Sequence, residues 1–353
     1  MWASFEIIRG INAMKRTLTC MLTLSLTAAA VSTAHAETTL RMSHFWPGAS
    51  SINKDVFEAW ADAVEKDSNG SLQVENYPSQ TLSQADETYE AAVNGIADIG
   101  ITAQGYTNGR FPLSQIVELP GVASSAPEGA CVLQTLYDDG QIASEYDDTH
   151  VLFMFTTGPG YIHTRETDVQ TPSDLEGLRM RRPTSVAGNI LKNMGAEPVG
   201  MPAPEIYTSM QRGVLDGLSF PWEGMKTFRL NELTEYHTQV PFYTLIFVAT
   251  MSQDTYDSLS PEQQKAIDEN SGMKWAEKAG KVFAADDKAG KKEAEEAGHT
   301  IRVIDNPLEN SEWSKPLKAG IDQYLGNLES RGLDQARDVY YAALEARKSC
   351  SAE

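Results

Sequence analysis

Gly177-Leu178-Arg179-Met180-Arg181-Arg182-Pro183-Thr184-Ser185 opens the stretch that decides the fold. It runs on through Gly195-Ala196-Glu197-Pro198-Val199-Gly200-Met201-Pro202, Glu205-Ile206-Tyr207 and Gln211-Arg212-Gly213-Val214-Leu215-Asp216-Gly217, and closes on Ser219-Phe220-Pro221-Trp222. Leu178 and Met180 alternate with Arg179 and Arg181, the period of a strand. Pro183 and the Thr184-Ser185 cap then start a helix reaching about Met194. A short strand at 198–200, a helix at 203–212 stopped by Gly213, and an apolar strand at 214–219 complete the unit. Strand–helix–strand–helix–strand implies a parallel α/β lobe. Arg181 stands where the first strand gives way to a helix, the end of a parallel sheet at which such folds bind ligands.

Upstream, the same order returns. Thr39 to Ser43 alternates as a strand, Val56, Phe57, Trp60, Ala61 and Val64 share a helical face, and 71–76 is a second strand. Residues 84–94 read as a helix ending at Gly95, and 96–101 as a third strand. The two exits, Asn94-Gly95-Ile96-Ala97-Asp98-Ile99 and Arg212-Gly213-Val214-Leu215-Asp216-Gly217, echo each other as helix, glycine, strand. Two similar lobes follow from that echo.

The long stretch resembles the solute-binding subunit of tripartite ATP-independent periplasmic (TRAP) transporters, the dicarboxylate-receptor (DctP-like) type. The resemblance rests on Gly177-Leu178-Arg179-Met180-Arg181-x-Pro183, Gly195-Ala196-x-Pro198-Val199, Met201-Pro202, Glu205-x-Tyr207, Gln211-x-Gly213-Val214-x-Asp216-Gly217 and Pro221, and extends over roughly residues 38–340. It implies a type II-like periplasmic binding protein of α/β class: two α/β lobes, two crossover strands and a long spanning helix. The apolar runs 150–163 and 242–251 are then the crossovers, the first broken at Gly158-Pro159-Gly160. Ser260-Pro261-Glu262-Gln263 is a capping box that starts a helix reaching Ala297. The implied lobes are 37–158 with 247–286, and 159–246 with 287–340, followed by a tail at 341–353.

By the same resemblance Arg181 pairs with the ligand carboxylate, because a planar guanidinium grips a carboxylate through two parallel hydrogen bonds. Arg179 and Arg182 are assigned to the surface. Two departures narrow the ligand. Where the family carries a second arginine after the first crossing, this chain has Gly160 and Tyr161. Where it carries Asn before the proline after Asp-Gly, this chain has Phe220, then Pro221 and Trp222. A buried second carboxylate would lack a partner. The expected ligand is a small organic monocarboxylate with an apolar or aromatic body, held by Arg181, Phe220, Trp222, Tyr161, Gly160, Trp46, Phe45 and Tyr106. The alternatives are a C4-dicarboxylate or sugar acid on the same fold, and a protein that presents its ligand to a membrane sensor.

Residues 1–36 read as a cleavable export signal: Lys15-Arg16, the apolar run Leu18 to Val31, and Ala34-His35-Ala36 before Glu37, with translation starting at Met14. The run is too short and too rich in Thr, Ser and Ala to be an anchor. The expected location is the periplasm, and the expected partners are the membrane subunits of a TRAP transporter, with the binding protein itself a monomer. A formal net charge of −20 argues against nucleic acid and anionic membranes, so an anionic ligand needs a local positive group. Cys131 and Cys350 remain after export, either bridged or as two free thiols. No Gly-x-Ser-x-Gly, phosphate loop or His-Glu-x-x-His appears, so neither an enzyme nor a cofactor or metal site is expected. His44, His163 and His237 are expected to be isolated structural histidines.

Overall fold

A computed structural model describes residues 37–351. The expected export signal and the last two residues lie outside them. Strand β1 (Thr38–His44) lies between β2 (Leu72–Tyr77) and β3 (Ile99–Ala103), parallel to both. A π turn at Asn53–Glu58 and helix α1 (Ala59–Asp67) join β1 to β2, and α2 (Thr88–Val93) leads to β3. After α3 (Ala126–Asp138) comes the 16-residue β4 (Thr149–Thr164). β5 (Arg179–Arg182), α4 (Ser185–Asn193), β6 (Glu197–Gly200), α5 (Ile206–Gln211) and β7 (Gly217–Phe220) build the second parallel unit. Helix α6 (Trp222–Thr227) then leads to the 17-residue β8 (Tyr236–Ser252).

The sheet order is β2-β1-β3-β8-β4-β7-β5-β6, with β9 (Thr300–Val303) beside β8. β4 and β8 are antiparallel and pass through the middle, linking a parallel unit on each side. Buried apolar residues interleave along both, so neither has a solvated face to display polar residues.

Several boundaries differ from the sequence reading. The third strand of each unit starts three residues late, at Ile99 and Gly217. Gly95 and Gly213 take positive φ, and Ile96 and Val214 are 53% and 44% exposed. Each chain enters its sheet only after Asp98 or Asp216 is tied to an arginine on the neighbouring strand. Helix α2 covers only the second half of 84–94. Gly158-Pro159-Gly160 does not end β4; the ladder absorbs it as register shifts between Thr156 and Pro159 and between Gly160 and Ile162.

The helix expected from 261 to 297 is two helices, α7 (Pro261–Glu269) and α8 (Met273–Glu296). The capping box at Ser260 and Gln263 is present. The break follows from Asn270, whose carbonyl accepts from Trp60 Nε1 at 2.6 Å, and from Gly272 at φ 74°. Helix α8 still spans both sides: Gly280 lies against Ala126 and Pro127, and Gly290 against the Trp222 carbonyl. Residues 341–350 are not a tail. They belong to α10 (Ala336–Cys350), which follows α9 (Ser314–Ser330), and Cys350 is disulfide-bonded to Cys131 of α3.

Candidate functional site

Arg181 is fully buried (0% exposed), at the carboxyl end of β5. Its Nε donates to Met201 O at 3.0 Å, Nη1 to Ser219 O at 3.3 Å and Nη2 to the Tyr106 hydroxyl at 3.2 Å. Its Cζ lies 5.0 Å from the centre of the Phe220 ring. Three of the guanidinium's five N–H donors are thus engaged by neutral groups. Among the described residues no carboxylate forms a salt bridge with it. An unpaired buried cation is costly unless something anionic completes it. Its neighbours differ: Arg179 forms an ion pair with Asp216 near the surface, as expected. Arg182, expected at the surface, is half-buried, its side chain packed over Gly188 and Gly200.

Tyr106 follows β3 and so comes from the first unit. Its hydroxyl also accepts from Ala203 N–H at 3.0 Å, so one phenol oxygen meets two donors of the second unit. Burial raises its pKa, and the adjacent guanidinium opposes that rise. A second bridge is Thr184 Oγ1, donating to Glu118 Oε2 at 2.7 Å. Glu118 is wholly buried, and desolvation pushes its pKa up to about 8 against the hydrogen bond from Thr184, while its Oε1 has no partner among the described residues.

Aromatic rings surround this contact. Phe45 lies 5.6 Å from Tyr106 and stacks on Trp46 at 4.0 Å. Trp46 itself belongs to the core, against Phe57, Phe155 and Phe247, and backs Phe45. A Cβ on Gly160 would fall 1.9 Å from the Tyr243 ring, so glycine there is what makes room for that ring. Tyr243 was missed by sequence reasoning, because only the β4–β8 register brings it to Gly160. Its hydroxyl is buried with no partner among the described residues, and Arg181 is one of the charges acting on it. Tyr161 and Tyr243 both border a cavity of about 530 Å³ that Arg181 does not line. The buried cation, rather than that cavity, marks the chemistry here.

Trp222 packs edge-on against His163 at 4.9 Å and lies 6.4 Å from Tyr161; its Nε1 has no partner among the described residues. Glu223 beside it is 4% exposed and its Oε2 is likewise unpartnered. Burial first, then Asp287 and Asp286, hold its pKa well above the usual carboxylate value.

The histidines are not isolated. His163 Nδ1 lies 2.7 Å from His237 Nδ1, and His237 Nε2 lies 3.0 Å from His299 Nδ1. His163 Nε2 is 3.0 Å from Phe220 O, which can only accept. That assigns each ring's tautomer in turn, with His237 donating to His163 and His299 donating to His237. Burial lowers the pKa of His163 to about 4. His44 is separate, bonded at 2.9 Å to both Asn53 and Asn76. No cluster able to hold a metal ion occurs among the described residues.

Two parallel α/β units, joined by two long strands over a buried aromatic-walled cation, define a two-lobe solute-binding protein. The family model "Bacterial extracellular solute-binding protein, family 7" (DctP) matches residues 42–327, and the chain belongs to that family of TRAP periplasmic solute-binding proteins. It is 33% identical to a TRAP solute-binding protein from Rhodoferax ferrireducens T118, solved with copurified benzoate; 89% of this chain and 98% of that one are covered, with a TM-score of 0.84. It is 34% identical to a marine-metagenome TRAP protein specific for aromatic acid ligands, solved with 3-hydroxybenzoate; 89% and 98% are covered, with a TM-score of 0.81. A solute-binding protein from Albidiferax ferrireducens is 27% identical over 253 residues, 67% of this chain and 72% of that one. The family's members bind small organic acids and work with membrane subunits; they are not enzymes. No helix among the described residues is long and apolar enough to cross a membrane.

Proposed function

We propose that this protein binds a small monocarboxylate with an aromatic body, its carboxylate on Arg181 and its ring among Phe45, Tyr106, Phe220, Tyr161 and Trp222. The observation that carries the reading is Arg181 itself: fully buried, with spare N–H donors and no acidic partner among the described residues. The relatives solved with benzoate and 3-hydroxybenzoate support it, at 33% and 34% identity. Gly160 carries no side chain and Tyr243 lies over it, while Phe220 packs its ring toward Arg181. A second carboxylate, as in a C4-dicarboxylate or sugar acid, would therefore meet rings where it needs a cation.

In this reading the protein is exported by the signal at 1–36, acts as a monomer in the periplasm, and hands its ligand to the membrane subunits. The lobes are 37–158 with 247–286 and 159–246 with 287–340, so they meet at the Tyr106–Arg181 and Glu118–Thr184 contacts. Ligand favours the closed form by its difference in affinity for closed and open states. Calorimetry with benzoate, a keto acid, succinate and malate tests the choice. Benzoate should bind and the two diacids should not; tight succinate binding with none for benzoate would overturn it.

A further inference from the structure

We infer that Tyr106, seated by Gly105, is a positioning residue that makes closure of the two units depend on an anion at Arg181. This rests on the monocarboxylate reading above and adds how occupancy is sensed. Both residues belong to the short turn Gln104–Tyr106 that follows β3. The root of the turn is fixed: Gln104 is fully buried, its Nε2 donating to Phe247 O at 3.3 Å and its Oε1 accepting from the Tyr146 hydroxyl at 2.6 Å. Gly105 then lies directly on Thr184, the N-cap of α4 in the second unit. A Cβ there would run into Thr184 Cγ2 and come within 2.8 Å of Gln115 Nε2. Tyr106 reaches across, its oxygen accepting from Arg181 Nη2 at 3.2 Å and from Ala203 N–H at 3.0 Å. Met201 O accepts from Arg181 Nε at 3.0 Å, so Arg181 and the 201–203 segment hold each other, and both hold the phenol.

A phenol oxygen offers lone pairs but no charge. Closing the units over Arg181 strips water from the guanidinium, and the neutral acceptors at Tyr106, Met201 and Ser219 do not offset a buried cation. A carboxylate on the remaining N–H donors does, through charged hydrogen bonds that strengthen away from water. With the anion in place, the Tyr106 contact adds to a favourable closure. Without it, closure sets that one contact against an unpaired buried charge. Arg181 lies in the second unit and Tyr106 in the first, so a ligand can meet Arg181 before the units close and Tyr106 only afterwards. The expected signature is therefore in the release of ligand rather than in its capture. A methyl at Gly105 produces the same defect by another route, holding the turn off Thr184 while leaving the hydroxyl intact.

The test is stopped-flow binding of benzoate to the mature chain, with small-angle X-ray scattering of the same samples. Tyr106→Phe keeps the ring and loses the acceptor. It should weaken benzoate binding about tenfold, mostly through faster dissociation, with association changed by less than about threefold. Gly105→Ala should show the same split. Combining the two should cost clearly less than the product of their separate losses, because both act through one contact. The unmodified protein should contract on saturation with benzoate, and both variants should contract less. Circular dichroism melting establishes that each variant is folded. Unchanged dissociation in Tyr106→Phe, a loss carried by slower association, full contraction of both variants, or losses that multiply would each overturn the role of Tyr106 and leave the monocarboxylate reading standing. If the unmodified protein does not bind benzoate at all, that reading falls and this inference with it.

Discussion

The two ends of the sheet repeat one device and fill it differently. At one end β1 lies between β2 and β3, and Asp98 accepts from Arg41 N–H at 2.8 Å and from Nε at 2.9 Å. At the other, β5 lies between β6 and β7, and Asp216 accepts from Arg179 N–H at 2.9 Å and from Nε at 2.9 Å. Each Asp N–H returns a bond to the arginine carbonyl at 2.9 Å. Two residues further along, where the strand reaches the interior, the first unit has Ser43 and the second has Arg181. Ser43 Oγ is satisfied by Ser83 Oγ at 2.7 Å. Arg181 is left with donors to spare. One scaffold thus supplies a self-contained wall and, on the far side, a buried charge with no acidic partner among the described residues.

The largest expected effect comes from erasing that asymmetry. Arg181→Ala should weaken benzoate binding by about a hundredfold or more, because two charged hydrogen bonds are lost at a buried site. Ser43→Ala at the matching place should leave affinity unchanged, with the folded state of both variants checked by circular dichroism. An Arg181→Ala protein that binds as tightly as the original would end the comparison.

The seam between the units offers the next test. Glu118 has a folded pKa of about 8, raised above the ordinary carboxylate value by burial. The native state therefore holds a proton that the unfolded chain releases, and this group's contribution to stability falls as pH rises from about 4.5 to about 8. Urea midpoints across that window should fall less steeply in Glu118→Gln than in the original protein. Unchanged slopes would mean that Glu118 is ionised in its place between the units.

The smallest effect concerns the repeated ion pairs. Asp98→Asn and Asp216→Asn should each lower the urea midpoint slightly and by similar amounts, since both pairs are partly exposed. The Asp216 carboxyl is held below its usual pKa by Arg179, so its contribution is present above the unfolded value and disappears as pH falls through the folded one. Strongly unequal losses would show that the two devices are alike in geometry only.

Much of this was legible from residue patterns. Alternation around Met180, the Thr184 cap and the Gly213 stop located β5, α4 and the turn after α5, because local propensity and tertiary demand agree there. The errors have physical causes. Ile96 and Val214 look like strand residues, but Asp98 and Asp216 must first reach their arginines. Gly158-Pro159-Gly160 looks like a strand end, yet a long ladder tolerates bulges when both neighbours are buried. The histidine chain could not be read, since His163, His237 and His299 are far apart in sequence and meet only across β4, β8 and the turn into β9.

Periodicity, caps and motif spacing were enough to determine a two-unit α/β protein with an arginine at a strand's carboxyl end, because those signals act over a few residues. What surrounds that arginine was decided by the tertiary structure. Tyr106, Met201 and Phe220 reach it from three separate segments, and only strand register and loop packing bring them together. Burial then sets the chemistry: the carboxyl that is an ordinary acid in water has, at Glu118 between the two units, its pKa pushed up to about 8.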